Sequence, residues 1–233
     1  DEIIYIDSVA SLYGRNNLME IVKKTARKIS IPLTVGGGLK TIEDIKLILN
    51  FGADKVAINS EAVRRPEFIR ECVKYFGSST IVLSINYKAW PNDNFKNNKH
   101  LTVGSSNKKN PTTWKNNFQV YIDNAREQTG IDVFDWAQRG EELGVGEILL
   151  TSIDKEGAQK GFETELSSRL SKNLTIPFIM CGGMGKLGDL KEIYEKTKCN
   201  GISIASVLHY EKFTIKQIKD YLTSENINII NHE

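Results

Sequence analysis

The chain repeats itself. Ile31-Pro-Leu-Thr-Val-Gly-Gly-Gly38 and Ile176-Pro-Phe-Ile-Met-Cys-Gly-Gly183 both set Ile-Pro before an apolar run and a glycine cluster, and they lie 145 residues apart. At the same offset Asp1-Glu-Ile-Ile matches Gly146-Glu-Ile-Leu, and with one residue inserted Ile58-Asn-Ser60 matches Ile204-Ala-Ser206. A self-similarity of this length implies two homologous halves, 1–76 and 77–233, within one domain of 233 residues.

Each half alternates short β-branched runs with longer segments of helical period, the pattern of a parallel sheet built from βα units. Strands are expected at Glu2–Asp7, Pro32–Val35, Lys55–Ile58, Thr80–Ile85, Glu147–Thr151, Pro177–Met180 and Gly201–Ile204. Helices are expected at Leu18–Lys28, Thr41–Asn50, Pro66–Phe76, Asp132–Leu143, Leu187–Lys196 and Ile215–Leu222, with Thr41 and Asp44 spaced as a capping box. In the second half a strand, Thr80–Ile85, precedes the Glu147 strand, whereas nothing precedes Glu2. The repeat therefore calls for a further βα unit before Asp1, which would complete the eight of a (β/α)8 TIM barrel. A doubly wound open sheet is the rival and needs no symmetry. Between the fourth and fifth of these strands, residues 91–117 are rich in Asn and Lys. They read as a long mobile polar insertion near the barrel mouth, a tolerated surface feature with a lid as the rival.

Composition excludes more than it assigns. Lys and Arg total 31 against 29 Asp and Glu, so no global field draws the chain to nucleic acid or an anionic membrane. No apolar run is long enough to cross a bilayer. Cys72, Cys181 and Cys199 have no metal-type spacing and are too few for a disulfide framework, which fits a reducing cytoplasm; no metal or cofactor is expected.

The chemistry is expected at the strand ends. A glycine cluster where a strand gives way to a helix lets backbone N–H groups approach an anion, although one such cluster alone is more often a tight turn. Here Gly37 and Gly38 are followed one unit later by Asn59-Ser60, and Gly182 and Gly183 by Ala205-Ser206. Two phosphate sites facing each other across the mouth are expected. Strand parity sets Lys55 with Ala57 and Asn59, and Glu147 with Leu149 and Thr151; Glu2 joins Lys55 and Glu147 at the lower end. That charged layer reads equally as a stabilising plug and as a functional gate. Asp7 falls off the parity of Glu2, Ile4 and Ile6 and belongs to the following loop. Asp7, Asn86 and the run Thr151-Ser-Ile-Asp-Lys-Glu-Gly157 hold the candidate catalytic groups, of which Asn86 cannot titrate near neutral pH. Cys181 finds no histidine partner in the sequence.

Through IPLTVGGG, GADKVAINS, GEILLTSID, the second glycine cluster and IASVLHYEKFTIKQIKDYL, the chain resembles the cyclase subunits of imidazole glycerol phosphate synthase over nearly its whole length outside 91–117. The resemblance implies a lyase that takes ammonia from a glutaminase partner docked at the bottom face and adds it to a substrate with two phosphates, in histidine biosynthesis. It implies that Gly38, Asn59, Ser60 and Gly157 hold one phosphate, with Glu156 beside it where aspartate is usual, and that Gly183, Ala205 and Ser206 hold the other. Glu2, Lys55 and Glu147 match three members of the family's charged ammonia gate, and the fourth, an arginine, falls in the expected missing strand. Of the family's two catalytic aspartates one is absent and the other position is Asn86; Asp7, Thr151 and Asp154 would then line the site while Asn86 orients substrate. Two alternatives follow from Asn86: a branch that uses the ammonia to amidate a surface-polysaccharide sugar, and a silent phosphate-binding barrel that activates a glutaminase.

Overall fold

The computed structural model describes residues 1–7, 17–89 and 118–230. The polar insertion 91–117 lies outside them. In chain order the elements are β1 (Ile3–Ile6), α1 (Asn17–Ala26), β2 (Leu33–Gly36), α2 (Ile42–Asn50), β3 (Lys55–Ile58), α3 (Ser60–Arg64), α4 (Glu67–Phe76) and a 3-10 turn (Ser78–Thr80). There follow β4 (Ile81–Ala89), β5 (Phe118–Ile122), β6 (Glu127–Asp132), α5 (Val133–Leu143), β7 (Glu147–Ser152), α6 (Glu165–Leu170), β8 (Phe178–Cys181), α7 (Gly188–Thr197), β9 (Gly201–Ser203), α8 (Ser206–His209) and α9 (Ile215–Ser224).

Seven strands run parallel in the order β1-β2-β3-β4-β7-β8-β9, which is chain order without reversal. A doubly wound sheet reverses its order at a switch point, so that rival is excluded. The sheet is also strongly curved. Lys55 on β3 reaches Glu2, beside β1, and Glu147, on β7, at 2.9 and 2.8 Å. Each lies two strands away, on opposite sides, and one side chain can touch both only on the inner wall of a barrel. At the outer wall Lys219 of α9 pairs with Asp1 at 2.7 Å, joining the last helix to the first strand's approach. Together these features make the fold a (β/α)8-type barrel.

The repeat survives down to single hydrogen bonds. Ile3 N–H donates to Pro32 O at 2.9 Å, and Ile148 N–H to Pro177 O at 3.0 Å. Asp44 Oδ2 accepts from the N–H groups of Lys40 and Thr41 at 3.0 and 2.9 Å; Asp189 Oδ2 accepts from those of Gly185 and Lys186 at 2.8 and 3.0 Å. Leu33 N–H is held by Asp54 Oδ2 at 2.8 Å, and Phe178 N–H by Asn200 Oδ1 at 3.2 Å. These are the same βα corners built twice. Thr41 also completes the expected capping box, since its hydroxyl accepts from Asp44 N–H at 3.1 Å.

Two apolar clusters result from strand parity. Outward residues such as Val35, Val56, Ile58, Leu83, Ile85, Ile148 and Leu150 pack against the helices and are buried to within 2% exposure. Inward residues Ala57, Val82, Leu149 and Ile179, with Ile4, form a separate small cluster inside the barrel. All seven expected strands and six expected helices are present within a few residues, but β4 runs on to Ala89. The antiparallel hairpin β5–β6, which pairs with β4 through Asn86 opposite Tyr121, was not among the sequence expectations.

Candidate active site

The C-terminal ends of the strands open into a cavity of about 420 Å³. Barrel chemistry occurs at this end, because only there do the βα loops converge. The inward residues below it form three levels. At the lower end Lys55 bridges Glu2 and Glu147, and the Thr34 hydroxyl donates to Glu2 Oε1. Burial works against the Lys55 charge, yet the hydrogen bonds and attraction of the two glutamates outweigh it and hold the ammonium above its usual pKa. Glu2 and Glu147 are equivalent positions of the repeat, so one lysine is clasped by both halves. Above lies the apolar level of Ile4, Ala57, Val82, Leu149 and Ile179. The third level is polar and lines the cavity together with Ile4, Ala57 and Leu149 of the level below: Ser84, Asn86, Thr151, Cys181 and Ser203.

The glycine clusters owe their glycines to close backbone packing. At Gly37 φ is +111°, and a Cβ there would stand 2.3 Å from Asp7 O; at Gly182 φ is +93°, and a Cβ would stand 2.9 Å from Ser152 O. Both members of each pair are 145 residues from their counterparts. Gly183, at φ +128°, would meet Gly161 O at 2.3 Å. The turns thus lie flush against neighbouring backbone, and Gly37 and Gly38 of the first reach the cavity lining.

The structure brings most of the expected site residues together. Asp7, Asn86 and Thr151 line the cavity, as do Gly37, Gly38, Asn59, Ser60, Glu156 and Ala205. Gly157, Gly182, Gly183 and Ser206 stand outside the lining. Asp154 does too: its Oδ2 accepts from Ala89 N–H at 2.8 Å and pins the end of β4. Asn86 pairs with Thr151 in the register of β4 and β7. The Cys181 thiol is pushed up by burial and further by the nearby Glu156 charge, with partial relief from hydrogen bonds with Ser203 and Thr151. A thiol so placed is a poor nucleophile. Sequence reasoning overlooked Ser84 and Ser203, which strand parity with Asn86 and Ala205 could have found. It also overlooked Lys40, Arg64 and Asn124 at the rim. Among the described residues no group of His, Cys, Asp and Glu could hold a metal ion, and no helix is long and apolar enough to cross a membrane.

A duplicated (β/α)8-type barrel with a polar cavity at the strand C-termini and a charged layer at their N-termini defines a class of barrel enzymes. Within it the chain matches the family described as "Histidine biosynthesis protein" over residues 1–214. It is 39% identical over 229 residues to "Imidazole glycerol phosphate synthase subunit HisF" of Clostridium botulinum (strain Okra / Type B1), covering 98% of this chain and 82% of that protein. With the protein of the same name from Methanocaldococcus jannaschii the identity is 40% over 227 residues, 97% and 82% of the two chains. With that from Legionella pneumophila it is 49% over 187 residues, 80% and 77%. The chain belongs to the histidine biosynthesis protein family. None of these names supports the alternative of a sugar-amidating branch, which is set aside.

Proposed function

We propose that the chain is the cyclase subunit of an imidazole glycerol phosphate synthase, working in the cytoplasm on ammonia supplied by a glutaminase subunit. The observation that carries this reading is the stack of three levels along one axis: a charged layer at the base, an apolar waist, and a polar cavity lined by Gly37 and Gly38 of the first half and by Cys181, Ser203 and Ala205 of the second. Such a stack suits a small neutral nucleophile that enters from below and an anionic substrate that binds above.

The substrate's two phosphates would rest at the two glycine turns. Gly37, Gly38, Asn59, Ser60, Glu156 and Gly157 are assigned to one end, and Gly182, Gly183, Ala205 and Ser206 to the other. Between them Asp7 is the carboxylate able to carry a proton, while Thr151 and Asn86 orient the substrate by hydrogen bonds. Asp154 acts at one remove by holding the end of β4. At the base Lys55 stays an ammonium at neutral pH, because its hydrogen bonds and attraction to Glu147 and Glu2 outweigh burial and hold its pKa above the ordinary value. If the Glu2–Lys55–Glu147 layer is the gate, ammonia would pass it by displacement of the lysine and not by its deprotonation.

The test is complementation of a strain lacking the cyclase, followed by assay with ammonium salts and the phosphorylated substrate. Growth without histidine and release of imidazole glycerol phosphate are expected. Stimulated glutamine hydrolysis in the partner, with no nitrogen entering the substrate, would overturn the reading in favour of a silent activating barrel.

A further inference from the structure

The two ends of the mouth are built alike in backbone but not in side chains. Asn59 and Ala205 each precede a short helix, with φ of −116° and −136°. Val63 N–H returns to Asn59 O at 3.3 Å, and His209 N–H to Ala205 O at 2.9 Å. The asymmetry begins with the amide that Ala205 lacks. Asn59 Nδ2 donates to Ser84 O on the cavity wall at 2.9 Å and to Tyr121 O on the hairpin at 3.4 Å.

The hairpin then closes a ring of contacts. Its turn carries Asp123, Asn124 and Ala125 at φ of +50°, +56° and +65°, a left-handed run that brings the tip over α3. Asp123 N–H donates to Ser60 Oγ at 3.0 Å, and Ser60 Oγ in turn contacts Asn59 Oδ1 at 3.2 Å. The Asp123 carboxylate pairs with Arg64 at the far end of the same helix, and Glu127 stands 3.6 Å from that guanidinium. One residue thus grips both ends of α3, by its backbone at Ser60 and by its side chain at Arg64. Arg64 and Asn124 both line the cavity.

We propose that Asp123 is a positioning residue that pre-orders the Asn59–Ser60 end of the mouth, so that the two anion ends are unequal and an asymmetric two-phosphate substrate binds in one orientation. The assignment rests on the phosphate-binding reading above. Its chemistry follows from the hydroxyl. A phosphate monoester dianion only accepts hydrogen bonds, so for its hydroxyl to bond the substrate Ser60 must turn its single proton from Asn59 Oδ1 toward the ligand. The Asp123 N–H occupies an oxygen lone pair throughout and keeps that oxygen in place while the proton turns. Arg64, neutralised by two carboxylates, serves as the anchor of the grip and not as the phosphate's cation.

Inorganic phosphate titrated into the protein, with the amide resonances of Gly38 and Ser60 followed separately from those of Gly183 and Ser206, tests this. Asp123→Asn keeps a residue type that tolerates the left-handed turn and removes the pair with Arg64. The Gly38 and Ser60 amides should then need about three- to tenfold more phosphate, with Gly183 and Ser206 unmoved. If that variant melts early, Arg64→Gln removes the same pair from the other side and should give the same split. Equal weakening at both ends, no change, or tighter binding at Ser60 because a freed Arg64 takes the phosphate would each overturn the positioning role. If none of the four amides of the unaltered protein responds to phosphate, the phosphate-binding reading itself fails, and the inference falls with it.

Discussion

Asn86 places an amide on the inward face of β4, opposite Thr151 and lining the same cavity as Asp7. An amide donates and accepts hydrogen bonds but moves no proton, whereas a positioned acid contributes about 10²–10⁴-fold to a proton-transfer step. Asn86→Asp should therefore raise turnover with ammonium as nitrogen source by a factor in that range, and Asn86→Ala should lower it. Steady-state kcat on the purified protein reads both, and a fall in kcat for Asn86→Asp would show that orientation is all the position supplies. Gly37 carries the opposite kind of constraint. Alanine there must hold φ near +111° and also intrude to 2.3 Å from Asp7 O, so the backbone has to shift. Gly37→Ala should cost about 1–3 kcal/mol, read as a lower urea midpoint, and it should displace Asp7 as well.

Among the elements, the βα corners show what a repeat can be asked to predict. Asp44 and Asp189 make the same pair of backbone bonds, but Asp44 is at an exposed helix start whereas Asp189 is only 4% exposed. Losing Asp189 removes the acceptor of two part-buried backbone bonds and empties a buried side-chain position. Asp189→Ala should thus cost about 1–3 kcal/mol, and Asp44→Ala about 1 kcal/mol; equal urea midpoints for the two would contradict this. The parallel strands were legible because period-two runs and glycine turns are local signals. The β5–β6 hairpin was not, since Glu127-Gln-Thr-Gly130 has no apolar alternation and Asp132 serves both as the strand's last residue and as the N-cap of α5. The one available hint was Asp123-Asn124, the residue types that best tolerate a left-handed turn. At the site, the places of the glycine clusters could be read from the sequence. Their cause, the backbone oxygens of Asp7, Ser152 and Gly161 well upstream in the chain, could not.

For the molecule as a whole the lower layer joins stability to function. Lys55 is held by one glutamate from each half, so the barrel's two halves are tied through a single ammonium. Its folded pKa is raised above the ordinary 10.5, which means that the protonated lysine stabilises the folded state at every pH below that value. The contribution is lost only as pH rises through the folded pKa. Lys55→Met leaves Glu2 and Glu147 facing each other without a counter-charge and should cost about 1–3 kcal/mol. The difference in Tm between the two proteins should hold steady from about pH 7 to about pH 9 and narrow above about pH 10.5 as the unaltered lysine discharges. A difference that already narrows near neutral pH would mean that the lysine is not held as an ammonium. The same variant separates plug from gate. A plug that only stabilises would, when lost, reduce ammonium-driven and glutamine-driven turnover alike. A gate should spare turnover on free ammonium, which reaches the cavity from solution, and change the glutamine-driven rate alone, because only that ammonia must pass Lys55.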